Sequence, residues 1–399
     1  MLKIRRLDEI AGHLAGGRHL VFHASVSEPE FVGRQLIDGA HLWPDLTVET
    51  FMPGAPCAYL GDDRIRVSTV VPGAHLRGAI NDGAVQPIRE SLYEQAMAYQ
   101  SGKRRANVVV LQVSPVDRSG NVSLGPSIGM VPQLLDQNPF VIGVVNPQVP
   151  RTHFTIPFDR LQALLEIDRP LPEFTPSNRD EIDHKIAENV LPILDDGITI
   201  EVGMGSTPDV VMRSLSQLKD IRIHTGLIND TIMEVVESGA TKLPVTTTMA
   251  VGTQKFYQWL DNNDRVKFRP IIETHDRDRL AQLPRFYAIN AALQVDLAGS
   301  VNSEKIGERL ISCPGGLPDF AEGARRSEGG CNIIVLRSAA GSGAKSTIVP
   351  KLQHVTLDGS CVDFIVTENG SADLRRLNEA GRAEAIRSIA HPSFERSRN

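Results

Sequence analysis

Four short runs rich in β-branched residues most constrain the fold: NVVVLQVSP (107–115), FVIGVVNPQ (140–148), NIIVLRS (332–338) and DFIVTENG (363–370). Each is apolar without alternation and ends in Gly, Pro, Ser or Asn, as expected of strands buried on both faces. Segments of helical spacing lie between such runs, for instance Val210, Val211, Ser214 and Leu215. Strand and helix alternating in this way predict an α/β architecture with largely parallel sheets covered by helices.

With 399 residues, 41% apolar and 23% charged, the chain has material for two cores. The expected linker is DRPLPEFTPSNRDEID (168–183), where prolines and polar residues interrupt every period. It separates an N-terminal domain, 1–170, from a C-terminal domain, 184–399. The halves share a pattern. At an offset of 179, residues 19–36 overlay 198–215 without a gap, pairing Ser27 with Ser206, Pro29 with Pro208, Val32 with Val211, Arg34 with Arg213 and Leu36 with Leu215. Both segments read as strand, small-residue loop, proline in the first helical turn, then helix. Two tandem copies of one α/β unit are therefore expected, with ligand contacts in the loops beyond the carboxyl ends of the strands.

Charge argues against nucleic acid as a partner, because 42 basic and 48 acidic residues leave a net −6 and no dense Lys/Arg tract. No apolar run reaches the ~18 residues of a membrane span, and the first residues lack a signal peptide's apolar core, so a cytoplasmic location is expected. Cys57, Cys313, Cys331 and Cys361 are widely spaced and form no CxxC pair. Free thiols are expected, with neither a disulfide framework nor a metal site.

Three Gly-rich loops could carry chemistry. EVGMGSTPD (201–209) places Gly203 and Gly205 between a strand and a helix, where backbone N–H groups either face an anion or simply form a tight turn. SCPGGLPDF (312–320) precedes a helix, and SAAGSGAKS (338–346) sets Lys345 after small residues, as a phosphate partner or a plain surface lysine. His224 ends the strand-like DIRIH, with Asn229 and Asp230 beyond it. Asp230 is the expected cap of the helix TIMEVVESG, and Gly239 its stop. His224 either serves catalysis or satisfies loop backbone. There is no HExxH and no GKS/GKT phosphate loop.

Taken together, QVSPVDRSGNVSLGPS (112–127), VNPQVPRTH (145–153), EVGMGSTPD, IHTGLIND (223–230), INAALQVDLAGSVNSEKIG (289–307), PGGLPDF, KSTIVPKL (345–352) and VDFIVTENGSADLR (362–375) resemble the acetyl-CoA hydrolase/transferase family nearly end to end. The resemblance implies two similar α/β domains with an active-site cleft between them and a dimer or higher homo-oligomer. It also implies an acyl-CoA thioester as substrate, a small-molecule acceptor and no permanently bound cofactor. Gly203, Met204, Gly205, Ser206 and Thr207, with Gly315 and Gly316, would approach CoA and the acyl group, and Lys345 the CoA phosphates.

In the family a glutamate within H-[ST]-E-[ML] attacks the thioester and forms an acyl-glutamyl anhydride. The matching residues here are His224, Thr225, Gly226 and Leu227, followed by Asn229, Asp230 and Thr231. Glycine stands at the nucleophile's position, and Leu317 stands where the family usually has Gln. The resemblance so qualified implies direct acyl transfer to an amine, a hydroxyl or water. Gly226 would open space for that reactant, His224 or Asp230 would orient or deprotonate it, and N–H groups of the helix after Asp230 would hold the oxyanion. Two alternatives remain: a relocated nucleophile, with Cys313 favoured over Glu201 and Glu368, or a CoA-binding subunit without catalysis.

Overall fold

The computed structural model describes residues 2–174, 180–341 and 345–396. Contacts divide the chain into two compact units, 1–175 with 246–273 and 176–245 with 274–399.

The first unit is built on an open sheet of eight strands: β1 (Leu2–Lys3), β2 (His19–Phe22), β3 (Leu46–Thr50), β4 (Ile65–Thr69), β5 (Val85–Pro87), β6 (Val108–Val113), β7 (Phe140–Val145) and β8 (Ala163–Glu166). Their order is β1-β8-β7-β6-β2-β3-β4-β5, and every pair is parallel. All six residues of β6 are buried, which is why its sequence shows no alternation.

The second unit carries six strands: β9 (Thr199–Val202), β10 (Arg222–Ile223), β11 (Phe286–Ala291), β12 (Cys331–Val335), β13 (Phe364–Thr367) and β14 (Gly370–Asp373). The order β10-β9-β11-β12-β13-β14 is parallel up to β13, and β14 closes the edge antiparallel. The tandem repeat is visible in this topology. β8-β7-β6-β2-β3 of the first sheet and β13-β12-β11-β9-β10 of the second follow the same chain order, with the overlaid segments at β2 and β9.

Helices α1 (Glu181–Val190), α2 (Ser206–Ser214), α3 (Asp230–Glu237) and α4 (Leu317–Arg326) belong to the second unit. α4 shows how a sequence period becomes packing. Leu317, Phe320, Ala321 and Ala324 are buried, and α4 lies on β11 and β12. Leu317 and Ala321 join a core with Val295, Ile334 and Ile365, while Phe320 and Ala324 join Leu280, Phe286 and Ala288. Burying each such large side chain contributes about 1.5–3 kcal/mol. Among the described residues no helix is long and apolar enough to cross a membrane. The four cysteines are unpaired.

Two boundaries differ from the sequence reading. Residues 246–273, expected in the C-terminal half, pack with the first unit: Met249 bridges Ser127, Ile128 N–H donates to the Thr248 carbonyl at 2.9 Å and Ala250 N–H to the Pro126 carbonyl at 2.7 Å. Such pairing is non-local and leaves no compositional mark. Within the expected linker, residues 175–179 lie outside the described residues, and its last three residues already belong to α1. Asp180 caps α1 by accepting from Ile182 N–H at 3.0 Å and Asp183 N–H at 3.2 Å.

Candidate active site

The residues singled out by sequence cluster at the carboxyl ends of the second unit's parallel strands. His224 follows β10, Gly203 follows β9, and Glu368 follows β13. Open α/β sheets place ligand contacts at this end, because loops and helix N-termini converge there.

Gly226 does not face open space. A Cβ placed on it would lie 3.1 Å from His275 Nε2, 3.2 Å from His275 Cε1 and 3.4 Å from Phe320 Cε2. The expectation of a gap for a reactant is therefore corrected, since an imidazole fills the volume. Gly316 meets the same ring, with a Cβ there 2.7 Å from His275 Nε2 and 2.9 Å from Phe320 Cε2. The imidazole packs on Phe320 with ring centroids 4.5 Å apart. At Gly316 the aromatic pair approaches too closely for a Cβ, whereas at Gly226 a Cβ would require the imidazole to give by a few tenths of an ångström.

His275 is 1% exposed, and burial, with His224 adding to it, pushes the imidazole down to about 3. Its Nδ1 is 2.8 Å from Thr274 Oγ1, while its buried Nε2 has no hydrogen-bond partner. His224 donates from Nε2 to the Thr274 carbonyl at 2.9 Å, and burial lowers its pKa from the ordinary value. His224 thus satisfies loop backbone, as one of its two sequence readings held.

At α3 the cap is Asn229 and not Asp230. Asn229 Oδ1 accepts from Thr231 N–H at 3.0 Å and Ile232 N–H at 3.4 Å, and its Nδ2 donates to Asp209 Oδ1 at 2.9 Å. Asp230 is the first helical residue, and Gly239, at φ +82°, ends the helix as expected. The N–H groups expected to hold an oxyanion are therefore already taken by their own cap.

The first Gly loop is organised from within. Gly205, at φ +138°, precedes α2, and Met204 is exposed. Thr207 Oγ1 donates to Asp183 Oδ1 at 2.6 Å, Ser206 Oγ reaches the same oxygen at 3.5 Å, and Arg337 pairs with Asp183 at 2.7 Å. Gly203 lies against the amide of Asn290, whose Nδ2 donates to Glu201 Oε2 at 2.7 Å. Burial pushes the Glu201 carboxyl up to about 8. Glu368 accepts from Ser338 N–H at 2.9 Å and from Ser338 Oγ at 2.5 Å.

Cys313 is buried, and Leu317, which stands where the family usually has Gln, packs into the core. Lys345 lies exposed in a two-residue strand paired with Ala339–Ala340, and residues 342–344 of that loop lie outside the described residues. Sequence reasoning missed His275, which follows the short helix Ile271–Thr274 within no motif. A GxSxG string is also present at Gly125–Gly129 of the first unit. It is no nucleophile elbow: Ser127 is buried, and His23 Nε2 lies 2.6 Å from its carbonyl oxygen rather than activating its hydroxyl.

Residues 2–168 match the acetyl-CoA hydrolase/transferase N-terminal domain, and residues 252–397 match the C-terminal domain of the same family. The chain belongs to the acetyl-CoA hydrolase/transferase family. Among its relatives in this family, the 4-hydroxybutyrate coenzyme A transferase of Clostridium kluyveri is 30% identical over 99% of this chain and 96% of that protein. An acetyl-CoA hydrolase of Kluyveromyces lactis is 25% identical over 81% of this chain and 72% of its own. Among solved structures, RipA from Yersinia pestis superposes with a TM-score of 0.91 at 27% identity, covering 99% of this chain and 96% of that one. The acetyl-CoA hydrolase/transferase family uses CoA thioesters as substrates, and relatives on both sides of its name, transferase and hydrolase, are similar to this chain.

Proposed function

We propose that this protein is an acyl-CoA-dependent enzyme that passes its acyl group directly to a second substrate, an amine or hydroxyl, or to water, with no enzyme carboxylate in between. The observation that carries the reading is position 226. It holds no side chain, and a Cβ there would press on the His275 imidazole at 3.1 Å. A carboxylate borrowed from nearby finds little support, because Glu201 is held by Asn290, Asp209 by Asn229, Asp183 by Thr207 and Arg337, and Glu368 by Ser338. Cys313 as a substitute nucleophile is disfavoured by its burial.

In this reading the acyl thioester lies over Gly226 and Gly316, and Gly203 to Thr207 with Lys345 serve CoA. The acceptor's oxygen or nitrogen bonds the carbonyl carbon, the C–S bond breaks, and the acceptor's proton ends on the CoA sulfur. Unpaired cysteines fit a reducing compartment such as the cytoplasm, and homo-oligomerisation, carried over from the resemblance, belongs to the same proposal.

The test is to incubate the protein with acetyl-, butyryl- and succinyl-CoA, with and without amine, alcohol and carboxylate acceptors. Free CoA, intact protein mass and products are then followed. Release of CoA without a covalent protein–CoA adduct supports the reading, with an ester or amide marking acyl transfer and a free acid marking hydrolysis. A protein–CoA adduct with exchange onto carboxylates would replace it with a relocated nucleophile. Tight CoA binding without turnover would make the protein a non-catalytic binding subunit.

A further inference from the structure

We infer that His275, through Nε2, donates the hydrogen bond that receives the negative charge on the acyl oxygen during attack on the thioester. This rests on the proposed function and names the group that serves its reaction. Three observations converge on the atom. His275 Nε2 is buried and has no hydrogen-bond partner, although its ring is otherwise tied down by the Thr274 hydroxyl at Nδ1 and by a tilted contact with Phe320. Two half-buried glycines, 226 and 316, come from separate loops to the same ring edge, and a Cβ on either would crowd Nε2. Gly316 is also the residue before α4, a helix whose N-terminus has no side-chain cap.

A polar atom left unpaired in a packed interior costs its lost hydration, and each such atom calls for an explanation. Here a partner with an oxygen would be satisfied by Nε2–H close to the N-terminal end of α4, where the helix dipole favours negative charge. The ring supplies that donor while neutral. Burial and the neighbouring His224 both disfavour imidazolium, and a base this weak would take little proton from an acceptor at neutral pH. This role takes the tautomer with the proton on Nε2, in which Nδ1, 2.8 Å from Thr274 Oγ1, accepts from that hydroxyl.

The step balances. As the acceptor attacks, the carbonyl π pair moves to oxygen and is held by Nε2–H; on collapse the pair returns, the C–S bond breaks, and CoA leaves with the acceptor's proton. Nε2 is shielded from solvent, so contact requires the turn Pro314–Gly316 to give, and Gly315, at φ +60°, is suited to such a turn.

The experiment pairs substitution with a direct probe of the nitrogen. His275→Phe keeps an aromatic ring against Phe320 and removes both ring nitrogens; His275→Gln keeps a donor. With the acyl-CoA turned over fastest by the wild type, kcat is expected to fall about 100-fold or more in His275→Phe and to recover partly in His275→Gln, with KM within a few-fold in both. On ¹⁵N-histidine-labelled wild type, the His275 Nε2 resonance is expected to shift with the acyl-CoA and not with free CoA. An unmoved resonance, or a His275→Phe enzyme with wild-type kcat, overturns the assignment while turnover upholds the proposed function. If the wild type neither binds nor turns over any of the three thioesters, both fall together.

Discussion

Asn290 donates from Nδ2 to Glu201 Oε2 at 2.7 Å, between two buried side chains on the adjacent strands β11 and β9. No cation is part of this pair, and desolvation outweighs the amide's help, so the carboxyl rises from an ordinary value near 4.5 to about 8. The folded state therefore binds a proton that the unfolded state releases. Its stabilisation is complete below about pH 4.5 and is lost as pH rises toward 8, amounting to a few kcal/mol at most. Glu28, held by Thr50 and Tyr59 and pushed up to about 7 by burial, adds a slope of the same sign in the first unit. Thermal melts of wild type and Glu201→Gln between pH 5 and 8 should diverge, the variant losing less stability. Parallel curves would refute the assignment.

Substitution at Gly226 should act through His275. In Gly226→Ala the added Cβ, 3.1 Å from Nε2, forces the ring to shift by a few tenths of an ångström, which overpacking data put at about 1–3 kcal/mol of stability. Gly226→Glu should cost more and suppress native turnover. Wild-type stability and turnover in both variants would show that the glycine is not needed for the ring.

The cap of α3 offers a test free of catalysis. Asn229→Ala should lower stability by about 1 kcal/mol through loss of the cap bonds. Asn229→Asp preserves a capping oxygen but replaces the donor 2.9 Å from Asp209 with a second carboxylate. It should therefore be no better than alanine at neutral pH, whereas capping preference alone ranks Asp with Asn. Urea denaturation midpoints at pH 7 decide between the two.

Cys313→Ala should leave turnover within a few-fold of wild type, because the thiol is a buried packing group. Abolished turnover with an unchanged melting temperature would make Cys313 the relocated nucleophile.

The strands were legible because parallel strands buried on both faces must be continuously apolar, as Val108–Val113 and Cys331–Val335 are. Asn229 and Asp230 show where local reading stops. Both are good caps, and only the path of the backbone decides which one turns its oxygen on the first N–H groups. His275 was out of reach for another reason. Nothing in its neighbourhood in sequence marks it, and its importance arises from Gly226 and Gly316, 49 and 41 residues away along the chain. Gly226 itself was conspicuous in the sequence, but a missing side chain reads there as empty space, and only packing shows what occupies it.

Because residues 246–273, which come after strands β9 and β10 in the chain, complete the first unit, no single cut separates the chain into two self-sufficient pieces. On the ribosome, the first unit cannot close its full set of contacts until residue 273 has emerged, by which time part of the second sheet is already made. Expression of residues 1–175 alone would leave Pro126 and Ile128 with the backbone partners of Thr248 and Ala250 missing. The two units are therefore interleaved along the chain, and a gene split at the proline-rich stretch would leave residues 246–273 on the product that lacks the rest of the first unit.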